Sequence, residues 1–387
     1  MNILVAPDAF KGTLRADEAG RVIAAAIHSV RPDTHITVLP LSDGGEGCAS
    51  ILGTAAGAER LRCRLHDWSA RPFDAAYWVT PSVGGPPTAA YLDAATVLNA
   101  SLSVPGGSSV LHRSSTVFGV LLRKALETGA HQVYAGLGGT FTNDAGIGMA
   151  AALGYHFFDR EGRQIPIGET IDATLPVVLQ AVHRIEKPRE GWDANNCHIN
   201  ALCDVTNPLS GSEGATHIYG PQKGLASVDV QWLDDALAHF AACVSRDVGD
   251  PDPESPGSGA AGGLGFALAA FTGARLLPGA DTVMRAVGFH EALRGVDMVI
   301  TGEGRIDEQS AMGKVVGEVS RAARESGVPC IACAGTIRGD RETITQQLGL
   351  HRLVTVLDRE PTPDELSQAA SLLSESITSL FHEIGRL

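Results

Sequence analysis

At both ends of this chain, short apolar runs alternate with amphipathic stretches, and the runs break into turns rich in glycine and acid. "NILVAP" leads to "ADEAGRVIAAAIHSV", whose apolar residues recur at helical spacing, and then to "HITVLPL". After residue 290 the rhythm returns in "VDMVITG", "VPCIACAG" and "RLVTVLD", with helical segments between and after them. Strand, helix, strand in this order predicts βαβ units and a parallel sheet. Ligands of such sheets sit beyond the carboxyl ends of the strands, so Asp8 and Asp43, each following on a strand, lie where chemistry is expected.

The middle of the chain reads differently. "RLRCRLHDW", "FDAAYWVT" and "TAAYLDA" alternate and are separated by Pro/Gly turns, which predicts antiparallel strands. "STVFGVLLRKALETG" reads as a helix leading to the strand "QVYAGLG". Residues 155–200 read as irregular until the strand "HINALCDV", "SVDVQWLDDALAHFAACVSRDVG" is an amphipathic helix, and "GDPDPESPGSG" is a loop. With 387 residues the chain exceeds one ordinary core. The expectation is an α/β protein of two α/β domains. One is Rossmann-like, with a parallel sheet built from both chain ends (1–60 plus 285–387). The other is a mixed α/β domain, 61–284, inserted in the middle, with the active site in the cleft between the two.

Charge narrows the partners. A formal charge of −14, with no dense Lys/Arg stripe against it, disfavours nucleic acid and anionic membranes and leaves a small-molecule substrate, in a monomer or homodimer. An anionic substrate then has to be held by a few placed cations and backbone amides. The seven cysteines are scattered and odd in number, which points to buried thiols in a reducing compartment. Cys330 and Cys333, three apart in a strand, face opposite sides and do not share a metal or a disulfide. The N-terminus lacks the pattern of a signal peptide, and no run reaches the ~20 apolar residues of a membrane span, so a cytoplasmic protein is expected.

Glycine, at 45 residues, falls in clusters beside polar groups. The clusters are "PDAFKG" (7–12), "SDGGEG" (42–47), "GLGGTFTNDAG" (136–146), "CDVTNPLSG" (203–211) with "GPQKG" (220–224), "GSGAAGGLG" (257–265) and "TGEGRID" (301–307), the last followed by Gly313 and Lys314. Glycines let backbone N–H groups approach an anion, and a helix N-terminus adds partial positive charge. Lysine neutralises phosphate, while Asp and Glu hold Mg²⁺ or accept a hydroxyl proton. Each piece also has a structural reading. Asp43 and the "TND" of 142–144 suit helix caps, Asp204 and Asn207 suit an Asx turn before Pro208, and Gly262 suits tight helix packing. Gly257, Gly259 and Gly262 match G-x-G-x-x-G, but a Pro-rich loop precedes them where a dinucleotide fingerprint needs a strand. Lys314 completes no Walker A loop.

In order and spacing, "APDAFKGTL", "SDGGEG", "GLGGTFTNDAGIGMAAALG", "CDVTNPLSG…GPQKG", "GAAGGLGFAL" and "ITGEGRIDEQSAMGK" resemble the motifs of the type I glycerate kinase family, nearly end to end. The resemblance implies two α/β domains and transfer of the γ-phosphoryl group of ATP to D-glycerate with Mg²⁺, favouring 2-phosphoglycerate over 3-phosphoglycerate. Two segments depart from the family pattern. "LDAATVLNA" (92–100) carries Asp93 where a glutamate is usual, and "SSTVFGVL" (114–121) keeps Gly119 of a glycine pair and has Val120 for a glutamate. The departures leave the exact acceptor open.

Roles follow from the chemistry of phosphoryl transfer, which is mostly positioning and charge neutralisation. Glycine amides at Gly138 and Gly139, or at Gly262 and Gly263, are candidates to cradle the triphosphate, and Asn143 and Asn207 are further candidates to bind the nucleotide. Lys11, Lys223 and Lys314 are candidates to neutralise transferring charge, and Arg305 to pair with the acceptor carboxylate. Asp204 and Asp144 are the favoured bases, and Asp43, Glu46, Glu303 and Asp307 are candidates for Mg²⁺. The competing readings are a kinase of another small hydroxy acid, a nicotinamide-dependent oxidoreductase of a hydroxy acid, and a non-catalytic kinase-derived binding protein.

Overall fold

The computed structural model describes residues 1–82, 84–99, 109–168, 173–188, 197–307, 310 and 314–384. Gly313, of the expected Gly-Lys pair, and Ala100 lie outside the described residues. In chain order the first strands are β1 (Asn2–Val5), β2 (His35–Val38), β3 (Glu59–His66), β4 (Pro72–Val79), β5 (Ala89–Asp93), β6 (Gln132–Gly136) and β7 (His156–Phe158). They are followed by β8 (Gln164–Ile165), β9 (Arg184–Glu186), β10 (His198–Leu202), β11 (Arg275–Leu277), β12 (Met298–Asp307), β13 (Cys330–Arg338) and β14 (Arg352–Thr355). The chain divides into two compact units, Met1–Asp43 with Pro278–Leu387, and Gly44–Leu277.

The first unit carries a five-stranded sheet in the order β14-β13-β12-β1-β2, parallel throughout. Renumbered within the unit this is the 2-1-3-4-5 order of doubly wound, flavodoxin-like sheets, a sibling of the Rossmann arrangement. Parallel strands are covered on both faces, so their residues read as continuous apolar runs, and Ile3, Val5, Ile300, Ile331 and Cys333 all enter one core. The helix Ala16–Val30 lays Ala19, Ile23, Ala26 and Ile27 against that core, at the spacing its sequence shows. Asp17 and Glu18 occupy its first turn, where negative charge suits the helix dipole. The C-terminal helix, Ala369–Ile384, brings Leu373, Ile377, Leu380 and Phe381 into the same core.

In the second unit six strands run β11-β10-β6-β5-β4-β3. β3 pairs with β4, and β4 with β5, antiparallel, as their alternation predicts, whereas β5 joins β6 in parallel. The parallel pair is bridged by the helix Thr116–Leu126, and a crossover of this kind is what parallel neighbours require. Residues 155–200, expected to be irregular, hold a small sheet in the order β8-β7-β9 and the helix Leu175–Ala181. These strands are two or three residues long, too short for an alternating pattern to show in sequence. Residues 44–60, grouped from sequence with the first domain, form the helix Cys48–Ala55 and the start of β3. Among the described residues no helix is long and apolar enough to cross a membrane. All seven cysteines are free, with Cys330 and Cys333 both buried in β13.

Candidate active site

The first unit gathers ionisable groups beyond the carboxyl end of β1 and on the neighbouring β12. Asp8 follows β1 and is buried, and Ala9 N–H donates to its Oδ1 at 2.7 Å. Lys11 Nζ donates to Asp43 Oδ2 at 3.1 Å, with the lysine side chain 58% exposed and the aspartate 14%. Glu303, on β12, is 7% exposed, and its Oε1 has no hydrogen-bond partner among the described residues. Burial raises the Asp8 carboxyl well above the usual carboxylate range, and Asp43 adds to the rise. Burial also raises Glu303, against the hydroxyl of Ser310 and the charges of Lys314 and Lys11. Asp43 in turn holds Lys11 in its charged form, raising its proton affinity. Lys314 sits at the N-cap of the helix Val315–Glu325. Ser310 Oγ also accepts from Asp307 N–H at 3.2 Å.

Period two along β12 gives Glu303, Arg305 and Asp307 one common face. Arg305, the candidate for an acceptor carboxylate, already holds a carboxylate: Nη2 donates to both Glu360 oxygens at 2.9 Å.

In the second unit Gly44 and Gly45, from the "SDGGEG" cluster, pack against the strand ends of the sheet. Gly138 N–H donates to the Gly44 carbonyl at 3.0 Å, and a Cβ on Gly138 would stand 2.7 Å from the Gly45 Cα. Asp93, at the end of β5, caps the helix Cys48–Ala55 from outside: Ala49 N–H donates to Oδ1 at 2.7 Å and Gly47 N–H to Oδ2 at 3.0 Å. Gly47, the residue at the N-cap, has no side chain to do this. Burial pushes the Asp93 carboxyl up to about 7 despite those two bonds, and the charge of Glu46 adds to the rise. The departure at position 93 therefore falls on a helix-capping residue.

Asp144 is engaged on both oxygens. Ser115 N–H and Ser115 Oγ–H donate to Oδ2 at 2.7 and 2.8 Å, Gly148 N–H donates to the same oxygen at 3.3 Å, and Gly146 N–H donates to Oδ1 at 3.0 Å. These bonds tie together the starts of the helices Thr116–Leu126 and Ile147–Ala152, and burial raises its carboxyl. Gly119 belongs to the same joint, because a Cβ there would stand 2.7 Å from Met149 Cα and Ala152 Cβ. The second departing segment thus packs two helices together. Lys223 is buried and donates from Nζ to the Thr142 carbonyl at 2.9 Å, and burial lowers its ammonium to about 8. Arg113, also buried, stacks over Trp68 and Phe141. Asn143 donates from Nδ2 to Thr216 Oγ1 at 3.1 Å. Its buried Oδ1 has no hydrogen-bond partner among the described residues.

The glycine-rich entry to the helix Ala260–Thr272 is a left-handed run, with φ of 55°, 69° and 88° at Ala261, Gly262 and Gly263. A Cβ on Gly262 would stand 2.1 Å from the Thr142 carbonyl oxygen. Its N–H and that of Gly263 donate to the Gly259 carbonyl at 3.2 and 3.4 Å. Packing against 142–145 accounts for these glycines, and their amides are engaged within the loop. The formal G-x-G-x-x-G match lies before β11 and follows the loop 251–256, so no strand leads into it. Asn207 is likewise engaged: Nδ2 donates to the Glu213 carbonyl at 2.8 Å and Oδ1 accepts from the Tyr219 hydroxyl at 2.6 Å. Asp204 follows β10, half-buried, and with burial its charge pushes the Cys203 thiol up to about 12. Glu46 is exposed. Among the described residues no three His, Cys, Asp or Glu side chains are arranged to hold a metal by themselves.

Sequence reasoning placed Asp8 at a strand end but gave it no role, and missed Ser310, Ser115 and Arg113. Asp8 had a signal in its position after a strand. The other three reach their partners only through folding.

The glycerate kinase family model matches residues 3–385. A glycerate kinase of Halalkalibacterium halodurans is 34% identical over 379 residues, covering 98% of this chain and 97% of its own. The glycerate 2-kinase of Escherichia coli K12 is 34% identical over 371 residues, covering 96% and 94%. A solved structure from Salmonella typhimurium LT2, assigned as glycerate kinase 2, superposes with a TM-score of 0.78 at 32% identity, covering 100% of this chain and 98% of that one. These similarities define the chain as a kinase enzyme on an α/β scaffold. It belongs to the glycerate kinase family.

Proposed function

We propose that this enzyme transfers the γ-phosphoryl group of ATP to a hydroxyl of D-glycerate in the presence of Mg²⁺, as a type I member of its family, in the cytoplasm. The observation that carries the reading is similarity over nearly the whole chain to proteins named glycerate kinase. The name of the E. coli relative, glycerate 2-kinase, supports 2-phosphoglycerate as the proposed product here. Mg²⁺, when bound, would neutralise the charge that develops on the transferred phosphoryl group. The residues present fit such an ion, since Glu303 keeps a buried oxygen without a hydrogen-bond partner among the described residues.

The chain's own groups then divide the work. Asp204 is the proposed base that accepts the acceptor hydroxyl's proton. Asp144, the other candidate, has both oxygens engaged by backbone and hydroxyl donors and serves to hold two helices. Lys11 and Lys314 supply positive charge in the first unit, and Lys223 fixes the 142 turn from within the second. Arg305 exchanges Glu360 for the acceptor's carboxylate, a like-for-like replacement at the surface. Of the Gly138–Gly139 turn, Gly139 is the proposed phosphate contact, because the Gly138 N–H already donates to the Gly44 carbonyl at 3.0 Å, and Gly262 and Gly263 serve packing.

ADP release with Mg-ATP over a panel of small hydroxy acids, with phosphorus NMR to place the new phosphate, tests the reaction. No turnover on glycerate beside turnover on another acid removes the glycerate assignment and keeps the kinase. Asp204→Asn is expected to lower kcat by at least ~10²-fold, the low end for acid–base catalysis. A mild loss transfers the role elsewhere.

A further inference from the structure

The strand order of the first unit reverses between β1 and β12. From β1 the chain crosses to β2 on one side, while from β12 it proceeds through β13 to β14 on the other. Connections leaving neighbouring strands in opposite directions open a crevice beyond the carboxyl ends of those two strands. Asp8 lies just past the end of β1, and Glu303 lies on β12, which runs on alongside it to Asp307. The parallel register pairs Val5 with Ile300, and it continues past β1, because Ala6 N–H donates to the Ile300 carbonyl at 2.7 Å and Asp8 N–H to that of Gly302 at 2.8 Å. The two residues are therefore neighbours across adjacent strands.

Both side chains are acceptors when ionised, and both are withdrawn from water, Asp8 to 3% exposure and Glu303 to 7%. Lys11 is paired with Asp43, and Lys314 attracts Glu303 from the helix that follows. Glu303 Oε1 still lacks a hydrogen-bond partner among the described residues. Two adjacent buried carboxylates with an unbonded oxygen are costly unless a cation joins them. Mg²⁺ usually takes one or two carboxylates and completes its shell with water and phosphate oxygens. That demand matches a pair of adjacent carboxylates better than a closed cage of three.

We propose that Asp8 and Glu303 together seat a divalent cation at this switch point, with the Lys11–Asp43 pair flanking it. The proposal rests on the Mg²⁺-dependent kinase reading and adds Asp8 to it as a ligand. It is tested on the full-length protein by Mn²⁺ binding, read from the free-ion EPR signal with and without a non-hydrolysable ATP analogue. Asp8→Asn and Glu303→Gln are each expected to weaken Mn²⁺ at least tenfold, since even supporting groups around metals cost 10–100-fold. Asp17→Asn, which removes an exposed carboxylate of the same unit, is expected to leave it unchanged. Folding is controlled by melting. Metal-free Asp8→Asn melts no lower than wild type, because a buried repulsion is removed, but gains nothing from Mn²⁺ where wild type is stabilised. A folded Asp8→Asn protein with wild-type Mn²⁺ affinity overturns the proposal, as does a wild-type protein that binds no Mn²⁺ under either condition. Turnover with Mg-ATP is scored separately. Activity with unchanged Mn²⁺ affinity in Asp8→Asn sinks this seat alone, whereas Mn²⁺ binding as expected without turnover sinks the kinase reading.

Discussion

Asp93 couples the stability of the second unit to pH. It is a buried carboxyl with a folded-state pKa of about 7, against 3.8 for the ordinary group. Because the folded value is raised, the folded protein keeps a proton that the unfolded chain has lost. Stability contributed by that proton is fully present below about pH 4 and is lost as pH rises through 7. Between pH 5 and pH 7 the difference amounts to roughly two units at 1.36 kcal/mol each, or about 2–3 kcal/mol. Asparagine is a neutral mimic of the protonated acid. Its oxygen accepts from Ala49 N–H, the shorter of the two bonds at 2.7 Å, and it does not titrate. Asp93→Asn is therefore expected to unfold with a pH dependence smaller by about 2–3 kcal/mol between pH 5 and 8, and to exceed wild type most at pH 8. Urea titrations followed by tryptophan fluorescence read this unit selectively, since all four tryptophans fall between positions 44 and 277. Equal pH dependence in the two proteins would refute the argument.

Two further substitutions probe the reading of particular contacts. Gly262→Ala adds a Cβ 2.1 Å from the Thr142 carbonyl oxygen at a residue with φ of 69°, so it should cost about 2–4 kcal/mol, seen as a lower melting temperature. Glu360→Gln should leave stability within about 1 kcal/mol, because the pair is exposed, while lowering KM for the acid by freeing Arg305. An unchanged KM would detach Arg305 from the acceptor.

Much of the architecture was legible in sequence because parallel strands, buried on both faces, write themselves as continuous apolar runs, as in "NILV" and "CIACAG". The helix Ala16–Val30 is equally plain, since its apolar spacing and acidic first turn are local properties. The short strands β7, β8 and β9 were not legible, because two or three residues carry no period. The glycine clusters were found from sequence, but their tasks were not. Whether a small residue approaches a ligand or another loop depends on what folding brings to it, and at Gly262 it brings the 142–145 turn.

The same division separates the acids. Sequence alone placed Asp8, Asp43, Asp144 and Asp204 at strand ends or in glycine-flanked turns, whereas Glu303, read as part of such a turn, lies within β12. Only tertiary structure decided that Asp144 is engaged on both oxygens, that Asp93 caps a helix 44 residues upstream of it in the chain, and that Asp8, just past β1, lies in register beside Glu303 of β12. A carboxylate's role is set by the donors, cations and burial around it. Those are fixed by strand order and register, which bring residues 295 apart in the chain to neighbouring positions.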